Sequence, residues 1–163
     1  MKATIKPPHL PSNITSFTTA IPDNKVVGNT RYENLALSGE DWSEQTASGV
    51  VFDECHFQRM NLCGLQLPDL GLSDVLFGEC DVANATWPNA TLTRVEMVGC
   101  RLLGLRANEA DVQHLVVKDC NLSLAQFRFA TFKWVRFEHC NLHGADFHMA
   151  RVGIVFNATH RAR

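Results

Sequence analysis

Six cysteines, seven histidines and seventeen carboxylates are the residues of this 163-residue chain with chemistry to offer. Cys80, Cys100, Cys120 and Cys140 stand twenty residues apart. That spacing can bring four thiols into one column, which could serve as a disulfide set, a soft-metal ladder or a stack of small core residues. Stacked strands hold equivalent atoms about 4.8 Å apart, whereas a disulfide wants Cβ atoms about 3.8 Å apart. Zn²⁺ asks for four ligands arranged tetrahedrally about a point, and a one-dimensional column supplies none. The column is therefore read as a structural core ladder of reduced thiols. Cys63 alone falls at an outward position and is the one cysteine expected to react. His139, His143 and His148 lie close in sequence and are read as solvated. The chain contains no GxSxG, P-loop, GxGxxG or HExxH pattern, and it is read as non-enzymatic, with no cofactor and no metal.

The elements that would carry these side chains follow from one period. From Phe52 to Val152, every fifth residue is apolar, 21 in succession. A second series two residues earlier, from Val50 to Val155, is small or apolar at all 22 positions. Residues two apart point to the same side of an extended chain. Each unit of five thus turns two side chains inward and three outward. A helix of 3.6 residues per turn would smear this period around its surface, and a flat strand would need a period of two. The twenty-residue recurrence of the cysteines means that four units close a square, with short parallel strands stacking coil on coil. Trp87 is the largest inward residue, and Ala107 one coil on is expected to compensate its volume. The interior is expected to be filled by its own side chains, leaving no cavity.

Stretches such as residues 140–150, CNLHGADFHMA, resemble the A(D/N)LXX units of pentapeptide-repeat proteins, over about 105 of the 163 residues. The resemblance implies an all-β fold, a right-handed quadrilateral β-helix of twenty residues per coil. It also implies that Asn61, Asp81, Asn121, Asn141 and Asp146 help to satisfy turn backbone.

The ends depart from the pattern. Residues 1–29, with Pro7, Pro8, Pro11 and Pro22, show no period and are read as an extended arm or cap, with one strand near Asn13–Thr18, covering the first coil. Residues 30–155 form the solenoid. Within it, 30–49 is a degenerate first coil in which Glu40 and Gln45 take inward positions and should be solvated. Residues 156–163 are read as a polar tail. Phe132, Phe137 and Phe147 would then face water at the open C-terminal end, so a homodimer through the C-terminal coil is expected; relatives that the chain resembles dimerise in that way. No apolar run is long enough to span a membrane, and with no signal-like segment seen the chain is expected to be cytoplasmic.

Charge is uneven along the rod. Residues 50–100 carry seven acids and two bases, whereas residues 101–163 carry five acids and nine bases. With no catalytic set, function is expected on the outer faces, as a protein–protein interaction scaffold whose partner is unknown. Phe129 and Met149 stack on one corner, with Trp134 on the next, and form one candidate partner surface. The alternative is a DNA-mimicking protein that binds a type II topoisomerase (gyrase), as quinolone-resistance members of the resembled family do, with Asp74 and Glu79 in its acidic half. The cluster of Arg128, Lys133, Trp134 and Arg136 is the only nucleic-acid-like mixture, and it is read as a solvated face, so no direct nucleic-acid binding is expected.

Overall fold

The computed structural model describes residues 4–12, 14, 21–153 and 155–158. Its strands are β1 (Arg31–Glu33), β2 (Ala36–Ser38), β3 (Val51–Gln58), β4 (Gly71–Gly78), β5 (Thr91–Val98), β6 (Asp111–Lys118), β7 (Thr131–Glu138), β8 (Arg151–Val152) and β9 (Val155–Ala158). All pair in parallel, with β1 and β2 on β3, then β4, β5, β6 and β7 in succession, and β8 and β9 on β7. The register is always twenty: Phe52 opposes Leu72, then Leu92, Val112, Phe132 and Val152. These strands form two sides of each coil. The other two are held by single bridges, such as Asn61 to Asp81 and Gln66 to Thr86. The result is a right-handed quadrilateral β-helix of about six turns.

Both apolar series point inward and are buried from Val50 to Cys140. Each complete coil of twenty therefore buries eight side chains, and fully burying one large aliphatic or aromatic side chain is worth about 1.5–3 kcal/mol, so this column carries the fold. Asx turns make the bends. The side-chain oxygens of Asn61, Asp81, Asn121, Asn141 and Asp146 each accept the backbone N–H two residues on, at 2.8–3.1 Å. The interior is not entirely full. An apolar cavity of about 20 Å³ lies between Trp87, Met97, Leu102, Ala107 and Phe127. The expectation of a cavity-free interior does not hold, although Ala107 follows Trp87 one coil on.

The N-terminal residues do two different things. Ile21 and Val26 are buried in the end of the core. Trp42 Nε1 donates to Asn24 Oδ1 at 2.6 Å, and the Val27 amide donates to the Tyr32 hydroxyl at 3.0 Å. The inward Gln45 is not solvated: it accepts from the Val26 amide and donates to the Asn24 carbonyl, both at 2.9 Å. Residues 4–10, in contrast, run along the side of the solenoid instead of over its first coil. The His9 amide donates to Asp74 Oδ1 at 3.0 Å, and the Lys6 amide donates to His114 Nδ1 at 3.1 Å, two coils further on. The strand expected near Asn13–Thr18 falls almost wholly outside the described residues. At the C-terminal end the ladder continues to Ala158, past the expected start of the tail, because β9 still finds partners on β7. Phe132 and Phe137 are buried, contrary to the expectation that they face water, while Phe147 is half-buried and Val152 exposed.

Candidate functional site

The corner of each unit is set by backbone geometry. Every fifth residue, two after each central inward position, has φ between about +50° and +72°. Glycine, asparagine and aspartate occupy this left-handed region at least cost, and the corners of the middle coils include Gly64, Asp69, Asn84, Asn89, Gly99 and Gly104. In the last coils the same geometry is imposed on Leu124, Phe129, Trp134 and Met149, with φ of 57–60°. A bulky L-residue pays about 1–2 kcal/mol for this conformation. Three of these side chains also stand in water, with 58% of Leu124, 53% of Phe129 and 65% of Met149 exposed.

Phe129 and Met149 occupy one corner in successive coils, and His148 meets the Phe129 ring edge-on at 6.2 Å. Trp134 stands on the adjacent corner, half-buried and stacked on His114 at 6.0 Å. Lys133 and Arg151 lie exposed on the side between these two corners. Leu124 occupies a third corner, where it leans over Gly144. Leu124 was missed by inspection of the sequence. The signal that could have found it is the run of corner positions itself, in which Leu124 interrupts a column of Glu44, Gly64, Asn84 and Gly104.

The acidic pair is divided by the structure. Asp74 is buried: Arg94 donates to both of its carboxylate oxygens at 2.6 and 2.7 Å, and the His9 amide adds a third bond. Burial raises the pKa of the Asp74 carboxyl, but the Arg94 hydrogen bonds, the His9 amide and the Arg94 charge outweigh it and hold the group below its ordinary range. Asp74 is thus a neutralised internal contact and not a free surface charge, which corrects its reading as partner surface. Glu79 is exposed at its corner.

Cys80, Cys100, Cys120 and Cys140 are buried in one column, none in a disulfide. Each thiol donates to two carbonyls, one two residues back and one in the preceding coil, as Cys100 does to Val98 and Phe77 at 3.5 and 3.6 Å. Cys55, in a different column that continues as Val75 and Val95, repeats the pattern, and burial pushes its thiol up to about 11. Cys63 is partly exposed on an outer face. His139, His143 and His148 are exposed. Among the described residues no group of three His, Cys, Asp or Glu side chains could hold a metal ion.

Residues 90–157 match the family model described as a pentapeptide repeat region. Over that stretch the chain is similar to pentapeptide-repeat proteins. The solenoid is similar to a trypsin-treated form of QnrB1, a plasmid-mediated fluoroquinolone resistance protein, with 21% identity and a TM-score of 0.43, over 82% of this chain and 68% of that one. It is also similar to the pentapeptide repeat protein Rfr23 of the cyanobacterium Cyanothece 51142, with 16% identity and a TM-score of 0.30, over 80% of this chain and 88% of that one. No curated protein matches it. Among the described residues no helix is long and apolar enough to cross a membrane.

Proposed function

We propose that this solenoid is a non-enzymatic protein-binding scaffold whose partner surface is the corner of Phe129 and Met149, extended by Trp134. The observation that carries this reading is the combination of left-handed backbone and exposure at these bulky residues. A corner needs neither bulk nor apolarity, and strain retained at an exposed position is a pointer to function. Aromatic and methionine side chains are typical interface anchors, and the flanking Lys133 and Arg151 favour a partner carrying acidic groups beside its apolar ones. Asparagine suits the corner conformation better than phenylalanine. Phe129→Asn is therefore expected to leave the melting temperature unchanged or raised, by up to about 1 kcal/mol of stability, while abolishing capture of a partner that the wild-type protein retains. Equal capture by both proteins would remove the corner from consideration.

The same end supports a homodimer, because Leu142, Phe147 and Val152 are incompletely covered there. A second reading, DNA mimicry toward a type II topoisomerase in the cytoplasm, draws on the net charge of −5 over residues 50–100. It has lost Asp74 and retains exposed Asp69 and Glu79. Inhibition of gyrase supercoiling by micromolar protein, relieved by Glu79→Lys, would promote it above the scaffold reading, and no inhibition by the wild type would end it.

A further inference from the structure

The side formed by the second halves of β3, β4 and β5 contains an open hollow of about 370 Å³, lined by His56, Gln58, Leu76, Gly78, Glu79, Glu96 and Val98. Gly78 lies in its lining, and the Gln58 amide leans over it, where an added Cβ would meet Gln58 Oε1. Gly78 pairs with Gln58 on one side and Val98 on the other, and the same outward column continues as Lys118 and Glu138. Gly78 is not among the glycines with positive φ, so the backbone does not require glycine there. Glycine in a strand interior weakens the strand and often marks a close approach by another group.

The chemistry of the lining is specific. Leu76 and Val98 supply an apolar floor. Glu79 and Glu96 supply two carboxylates, and neither has an ion pair among the described residues, although Arg59 occupies the corner one coil before Glu79. Burial lowers the basicity of His56 and favours its neutral form. Gln58 adds an amide at the rim. An aliphatic stem over an apolar floor, ending in a planar cation between carboxylates, matches an arginine side chain.

We propose that the hollow beside Gly78 receives an arginine side chain from a basic segment of a partner protein. The proposal rests on the reading of the rod as a protein-binding scaffold. The hollow and the Phe129 corner are on different parts of the surface, so substitutions at one leave the other intact and the two readings can fail separately. A single side chain in an open hollow should bind in the millimolar range.

The test is a titration of the full-length ¹⁵N-labelled protein with the capped tripeptide Gly-Arg-Gly and with its citrulline counterpart, which keeps the shape and loses the charge. Saturable shifts at the amides of residues 76–79 and 96–98 are expected with arginine, and none with citrulline. Glu96→Gln and Glu79→Gln should each weaken binding several-fold. Gly78→Leu should abolish it by filling the hollow, with the melting temperature little changed, because the added side chain first meets only the flexible end of Gln58. Shifts that are absent, scattered over the surface, equal for the two peptides or indifferent to Gly78→Leu would each overturn the proposal.

Discussion

Asp74 ties the N-terminal segment to the side of the rod, and its energetics can be read from its partners. Hydrogen bonds to a charged group contribute about 1.5–3 kcal/mol. Asp74→Asn keeps a side chain that tolerates the left-handed corner at φ 54° and removes only the charge. It is expected to cost about 1–3 kcal/mol in thermal melts and to make the bond before His9 more susceptible to protease. The pH dependence follows in sign. A carboxyl whose folded pKa is depressed stabilises the fold above its unfolded value, about 4, and loses that contribution as pH falls through the lower folded value. Wild-type stability should therefore drop more steeply between about pH 5 and pH 3 than that of Asp74→Asn. Parallel profiles would show that the Arg94–Asp74 pair carries no stability. Nothing in the sequence marked this pair beyond a spacing of twenty, because any corner residue could be free or paired until its neighbours are placed.

Within the coil, the period of five made the inward positions legible one by one, from Val50 to Cys140, since each is fixed by backbone register and by nothing distant. The features that stayed hidden depend on volume or on chain segments without a period. The cavity beside Trp87 depends on how side chains of successive coils, an indole and then a methyl group among them, share the interior. Trp87 Nε1 is buried without a partner among the described residues, whereas Trp42 Nε1 finds Asn24, a difference set by a segment eighteen residues away from Trp42. Residues 4–10 lie on corner residues that no local pattern could have named. The cavity gives a direct prediction. Ala107→Val should fill part of it and raise stability by up to about 1 kcal/mol, while Ala107→Phe should overpack the layer and lower stability by about 1–3 kcal/mol. Losses of similar size for both, read by chemical denaturation, would mean that the layer cannot accept added volume.

For the molecule as a whole, the two ends of the rod differ. Ile21, Val26 and the hydrogen bonds around Asn24 close the first, whereas at the other β8 and β9 cover only part of the last coil, with Val152 59% exposed. Light scattering at tens of micromolar is expected to report a dimer that Val152→Asp converts to monomer; a wild-type monomer at that concentration would refute the dimer. The uniform register of twenty has a further consequence, for how such a chain can change in evolution. Its architecture has a reading frame. Loss of one residue from β5 would put every later side chain out of phase, with core and surface exchanged to the end of the chain, and should abolish folding. Excision of residues 110–129 removes twenty times as much and should leave a folded protein one coil shorter, because every remaining residue keeps its side of the square.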